Sequence, residues 1–154
     1  MAVAATAAAT WNPLETGGFS YPGGRGSMRI SQPSVLLVED EPLLRELLSA
    51  ELEDAGYRVI EAETGDDAIR LLDRADPIDL LFTDIRLPGL TDGWAVARHA
   101  RALRPGLPVI YATGHSPTAV DMVPGATLMR KPFGLSAMIA AATGLGVPPA
   151  CRPH

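Results

Sequence analysis

The sequence predicts an α/β domain whose helices cover both faces of a parallel sheet, and three observations predict it. From Val35 to about Thr143, short apolar runs alternate with longer amphipathic segments. The runs are continuous rather than every second residue, which is the pattern of strands buried on both faces. The pair of run and helix recurs along the chain, and consecutive βα units of this kind specify a doubly wound parallel sheet.

"VLLVE" (35–39) reads as the first strand. "EPLLRELLSAELEDAG" (41–56) reads as the first helix, with Pro42 suited to an opening turn and Gly56 to a C-terminal cap. Its Leu44, Leu47, Leu48, Leu52 and Ala55 form a stripe that can lie on a sheet. "YRVIEA" (57–62) is the second strand, and "TGDDAIRLLDRAD" (64–76) a helix with Ala68, Leu71 and Leu72 inward. "DLLFTD" (79–84) is the third strand, followed by a helix over 93–105 that closes at Pro105. The fourth strand is "LPVIYAT" (107–113). Pro117, Pro124 and Gly125 leave the next segment room for one or two helical turns, a short or degenerate fourth helix. "TLMRK" (127–131) is the fifth strand and 134–144 the last helix.

A chain of 154 residues holds one domain of ordinary size, expected over 33–146, and a 47% hydrophobic content supplies its core. Residues 1–30 are rich in Ala and Gly without a hydrophobic period and are expected to be a disordered tail. That stretch has no basic residue before Arg25, as a secretory leader would, and its alanine run is too weak for a membrane span. Residues 147–154 are expected to be a short C-terminal tail. A net charge of −5 argues against a nucleic-acid or membrane surface. The single cysteine, Cys151, excludes an intrachain disulfide, and the chain is expected to be cytoplasmic.

The chemistry lies where the strands stop. Strand 1 ends in Glu39, Asp40 and Glu41, strand 3 in Asp84, strand 4 in Thr113 and strand 5 in Lys131. In a parallel sheet these ends emerge on one edge, where ligands of open α/β sheets bind, and they can adjoin if strand 2 lies outside. Clustered carboxylates repel one another, and a hard divalent cation such as Mg²⁺ relieves the repulsion while holding a phosphate oxygen. A carboxylate so placed can attack phosphorus, and the charge spread over the transferred group calls for cationic and hydroxyl partners set in advance. Lys131 is the chain's one lysine beside twelve arginines, and a compact ammonium suits that position better than a planar fork.

In order and spacing, "VLLVEDE", "FTDIRLPGLTDGW", "YATG" and "RKPF" resemble the receiver domain of two-component response regulators over about residues 34–143. The resemblance implies a flavodoxin-like five-stranded sheet of order 2-1-3-4-5. It makes Asp84 the phosphoacceptor, Glu39 and Asp40 the acidic pair holding Mg²⁺, and Arg86 the donor of a backbone carbonyl to the metal. Thr113 then matches the switch hydroxyl, and Lys131, followed by the cis-prone Pro132, the phosphate-binding lysine. Gly114 and His115 at the rim are read as modulators, and Leu43 and Pro132 as partner contacts. A sensor histidine kinase or histidine phosphotransfer protein would donate the phosphoryl group. The signal would leave through the face of the 114–126 segment, strand 5 and the last helix, from a monomer or weak dimer.

The chain departs from the family in having Glu-Asp for Asp-Asp, Leu128 where strand 5 usually carries an aromatic ring, and only eighteen positions from Thr113 to Lys131. It looks like the subgroup with a Phe-Ala-Thr-Gly-type strand 4, often single-domain proteins. Other residues have plainer readings. Glu41, Asp66 and Asp67 suit helix N-termini, Asp92 a cap, Trp94 packing and His99 a solvent-facing position. A phosphatase working through an aspartyl-phosphate would carry an acid two residues after the nucleophile, where this chain has Arg86. The expectation is therefore a phosphoacceptor rather than an enzyme, and the alternative is a receiver-like interaction domain that works without phosphorylation.

Overall fold

The computed structural model describes residues 32–74, 76–114 and 121–150. Five parallel strands, β1 (Ser34–Val38), β2 (Arg58–Ala62), β3 (Leu80–Asp84), β4 (Val109–Thr113) and β5 (Thr127–Arg130), form one sheet in the order β2-β1-β3-β4-β5. Four helices, α1 (Pro42–Ala55), α2 (Gly65–Asp73), α3 (Gly93–Leu103) and α4 (Leu135–Gly144), cover it. This is the doubly wound, flavodoxin-like arrangement expected, with β2 outside β1. The tail expected over 1–30, and most of the segment expected to hold a degenerate helix (115–120), lie outside the described residues.

Alternation along each strand divides the core in two. Leu36, Val38, Leu81, Val109 and Tyr111 face α2 and α3, against Ala68, Leu72, Val96 and Ala100. Val35, Leu37, Phe82, Ile110 and Met129 face α1 and α4, against Leu48, Leu52, Met138 and Ala142. β1, β3 and β4 are buried throughout because both neighbours and both helix layers cover them, while β2 and β5, at the edges, are partly exposed.

Helix starts follow local chemistry. The Thr64 hydroxyl accepts from the Asp67 amide at the start of α2, and the Asp92 carboxylate accepts from the Ala95 amide at the start of α3. Asp92 is thus the expected cap. α2 stops at Asp73 rather than 76, because Arg74 turns extended (φ −77°, ψ 158°). One expectation needs correction. Leu47, placed on the inward stripe of α1, is 55% exposed and lies with Leu43 on the outer flank, because Leu48 and Leu52 already fill the contact with the sheet. His99 is partly exposed on α3, and its Nε2 lies 2.7 Å from Asp73 Oδ1 on α2 at the surface.

The stretch after α4 is bound to the domain as far as Ala150. Val147 is buried, its carbonyl accepts from the Tyr57 hydroxyl at 2.7 Å, and the Ala150 amide donates to the Gly56 carbonyl at 3.2 Å. Among the described residues no helix is long and apolar enough to cross a membrane. Tyr57→Phe keeps the ring and removes a buried hydrogen bond. It should cost about 1 kcal/mol in urea unfolding and speed exchange of the Ala150 amide; unchanged exchange would show that the stretch is held by other contacts.

Candidate functional site

Strand register decides which side chains meet. Val38 pairs with Thr83, Asp84 with Ala112, and Thr113 with Arg130. The residues next along β1 and β5, Glu39 and Lys131, therefore emerge beside Asp84 at the carboxyl edge. Glu39, Asp84 and Lys131 each follow by two a residue facing α1 and α4, namely Leu37, Phe82 and Met129. Asp40 and Thr113 follow Val38 and Tyr111, which face the other layer. The site straddles the sheet edge, with the lysine approaching from one side and the hydroxyl from the other.

The contacts are direct. Lys131 Nζ donates to Glu39 Oε1 at 2.8 Å and to Asp84 Oδ2 at 3.1 Å. Glu39 Oε2 accepts from the Glu41 amide at 3.3 Å. Glu39 and Asp84 are buried, whereas Asp40 is exposed. Carboxylate oxygens of Glu39, Asp40 and Asp84 all lie within 4.8 Å of one another. At that spacing each ionised pair repels by about 3 kcal/mol at an effective dielectric constant of about 20. Three carboxylates against one ammonium leave two negative charges, which is the charge a divalent cation neutralises.

Two groups of the cluster, Asp40 and Lys131, have shifted pKa values. The partial burial of the Asp40 carboxyl, then its hydrogen bond with Glu39 and the Glu39 charge, push its pKa above the usual value against the pull of Lys131. Burial alone would lower the Lys131 pKa. Its hydrogen bond to Glu39 and the charges of Asp84 and Glu39 outweigh burial and raise it. The stabilisation from Lys131 is therefore complete at neutral pH and fades only as the pH climbs through the raised value.

Backbone contacts hold the acids still. The Thr83 hydroxyl donates to the Asp84 carbonyl at 2.9 Å, the Ile85 amide donates to the Ala112 carbonyl at 3.1 Å, and the Gly93 amide donates to the Ile85 carbonyl at 2.8 Å. α3 begins so close to Asp84 that a Cβ on Gly93 would lie 2.1 Å from the Asp84 carbonyl oxygen. The Lys131 amide donates to the Thr113 carbonyl at 2.7 Å, and the Lys131–Pro132 peptide is cis. Arg45 of α1 donates from Nη1 to the Glu39 carbonyl at 2.8 Å, with its Nε 3.3 Å from Glu61 Oε1 of β2. The Ser49 hydroxyl donates to the other Glu61 oxygen at 3.4 Å.

Of the residues singled out from the sequence, Glu39, Asp40, Asp84 and Lys131 come together, and Thr113 stands buried one residue past the partner of Asp84. Arg86 is exposed two residues beyond Asp84, and Gly114 and Pro132 are exposed at the rim. Leu43 is 76% exposed on α1. His115 lies outside the described residues. Sequence reasoning missed Arg45, whose only signal was its place one helical turn after the acidic run, and the close seat of Gly93, which carried none beyond a helix start. It also missed the Glu61 brace, since nothing local connects β2 to α1.

A family model described as response regulator receiver domain matches residues 35–143. The response regulator receiver protein CpdR of Brucella abortus is 35% identical over 109 residues, covering 68% of this chain and 89% of that protein. Longer transcriptional regulators from Escherichia coli and Rhizobium meliloti also match, but the chain spans only 18% and 24% of their lengths. Among solved structures, a response regulator receiver protein from Sinorhizobium medicae has a TM-score of 0.73 at 35% identity, covering 76% of this chain and 96% of that one. The response regulator TrrA of Thermotoga maritima, in complex with Mg²⁺ and BeF, has a TM-score of 0.64 at 28% identity, covering 73% and 98%.

Removing the ammonium should expose what it offsets. Lys131→Met leaves buried Glu39 facing Asp84 and should destabilise by about 3 kcal/mol at pH 7. The variant's folded state would then bind a carboxyl proton more tightly than its unfolded state, so its stability should rise as the pH falls from 8 to 5. Urea titrations across that range showing no such rise relative to the native protein would refute this account of the cluster.

Proposed function

The chain belongs to the family of response regulator receiver domains, and on that premise we propose that Asp84 accepts a phosphoryl group from a phosphohistidine in a Mg²⁺-dependent reaction. The observation that carries the reading is the meeting of Glu39, Asp40 and Asp84 with the chain's one lysine at a single strand edge. The donor set is all carboxylate oxygen with two charges in excess, which fits a hard divalent cation. Glu39, Asp40, Asp84 and the Arg86 backbone carbonyl are the groups assigned to hold it. When bound, the cation screens the incoming phosphoryl oxygens from the carboxylates.

Each protein group then has a task. An Asp84 carboxylate oxygen forms the new bond to phosphorus as the donor's P–N bond breaks, and the electron pair leaves with the imidazole of the partner. Lys131, already within 3.1 Å of Asp84, moves its hydrogen bonds onto a phosphoryl oxygen and so follows the charge it was offsetting. The Thr113 hydroxyl donates to another oxygen. Arg45 and Gly93 act by keeping the Glu39 and Asp84 backbones where these contacts can form. No described histidine lies at a strand end beside Asp84, so the donor imidazole comes from a histidine kinase or phosphotransfer protein. Leu47, Pro132 and Phe133 line a pocket beside Lys131, and with the exposed Leu43 on α1 they offer that partner an apolar landing.

Incubation of the full chain with acetyl phosphate and Mg²⁺ should add one phosphoryl group by intact mass. The gain should vanish in Asp84→Ala and with excess EDTA, and fall at least about tenfold in rate in Lys131→Met. A native protein that gains no mass under these conditions and with phosphorylated donor would overturn the reading in favour of a phosphorylation-independent binding domain.

A further inference from the structure

The phenol of Tyr111 stands between the acidic site and the turn that leads into β5. Tyr111 lies two residues before Thr113 on β4, is fully buried, and pairs in register with Leu128 of β5. Its hydroxyl oxygen accepts from the Val123 amide at 3.1 Å. Val123 opens a turn in which the Ala126 amide donates back to the Val123 carbonyl at 3.2 Å. Pro124 and Gly125 (φ 78°) occupy its centre, and Thr127 follows as the first residue of β5. A Pro-Gly turn of this kind is stiff, so whatever moves Val123 moves the start of β5 with it.

The ring of Tyr111 is connected to Asp84 by two routes. Along β4, Thr113 lies on the same face two residues on, and Asp84 pairs with Ala112 between them. Through α3, the Tyr111 ring packs on Trp94, with centroids 4.7 Å apart and planes tilted by 57°. Trp94 directly follows Gly93, the residue seated against the Asp84 carbonyl. A shift of the Thr113 end of β4, or of the first turn of α3, therefore reaches the phenol. The displacement is largest at the hydroxyl, the far end of a long rigid side chain.

We infer that Tyr111 is a positioning residue that transmits the state of Asp84 to the Val123–Ala126 turn, its hydrogen bond to Val123 being made in the unmodified protein and given up on phosphorylation. The inference rests on the phosphoacceptor reading of Asp84. A phosphoryl group there adds acceptor oxygens at the edge and draws the Thr113 hydroxyl toward them, tilting the end of β4. The Val123 amide is bound to an oxygen that moves with β4, and one neutral hydrogen bond is weak enough to break. The ring sits on β4 rather than on β5, so the coupling in this chain starts from the strand that carries the hydroxyl.

The test uses the full chain carrying Trp11→Phe, which leaves Trp94 as the single indole of the two in the sequence. The probe is Mg²⁺ with beryllofluoride. Fluorine NMR reports whether the probe is bound, and amide hydrogen exchange at Val123 with Trp94 emission reports the coupling. Loading should raise Val123 exchange about fivefold or more, the ratio expected for losing one amide hydrogen bond, and shift Trp94 emission. Tyr111→Phe should exchange fast in both states while still binding beryllofluoride. The inference is overturned if the probe is bound and Val123 exchange stays at its unloaded rate, or if Tyr111→Phe keeps the full dependence on loading. Absence of a bound fluorine signal in the parent protein would instead bring down the phosphoacceptor reading, and this inference with it.

Discussion

Three carboxylates held at the edge of a buried sheet repel one another, and the single ammonium of Lys131 offsets that repulsion only in part. The rest of the arrangement follows from this imbalance. The repulsion must be resisted by backbone that cannot yield, which the central strands β1 and β3 provide, being paired on both sides and buried on both faces. Glu39 is further fixed by its own amide, which donates to the Ala62 carbonyl, and by Arg45 on its carbonyl. Asp84 is fixed by the start of α3. The repulsion of like charges is thereby concentrated at one point of the sheet edge, where a group of opposite charge would relieve it.

That the cation is lysine follows from the same geometry. Its ammonium reaches Glu39 and Asp84 at once, at 2.8 and 3.1 Å, which a three-donor point charge does by a small turn about its last bond. An arginine would present a flat fork matched to one carboxylate and would resist transfer of its bonds to a newcomer. Glutamate in the first acidic position fits this account too. One of its oxygens takes the lysine ammonium while the other takes the Glu41 amide, so both oxygens of the buried carboxylate have a hydrogen-bond donor.

The strand ends were legible in the sequence because the chemistry is local there: apolar runs that stop on Glu39, Asp84, Thr113 and Lys131 announce both a buried strand and its exit. The residues by themselves left the place of β2 open, and only the family resemblance put it outside. What stayed hidden depends on contacts far apart along the chain. Arg45 meets Glu61 across sixteen positions of sequence, and Tyr57 meets Val147 across ninety, with no pattern to pair them. Leu47 belonged to a credible apolar stripe, but the stripe is wider than the face the sheet can cover. The short tail expected from residue 147 begins with a buried Val147 packed in the same cluster as Tyr57, a contact that no local pattern announces.

The ammonium of the site is supplied from the end of an edge strand. β5 has four residues, is paired on one side only, and its side chains are mostly half-buried. Lys131 lies just past its end, so its position depends on what grips β5 from elsewhere. At the carboxyl end the grip is the Lys131 amide on the Thr113 carbonyl, and beyond it Phe133 packs on Phe82 with centroids 5.7 Å apart. At the amino end it is the Pro-Gly turn, tied to β4 through Tyr111. On the α2 and α3 side Leu128 gives β5 a partly buried apolar contact with the core, and a hydrogen bond to β4 stands at each end of the strand. The position of the Lys131 ammonium thus depends on β4 through the Thr113 carbonyl at one end of β5 and through the Tyr111 hydroxyl at the other.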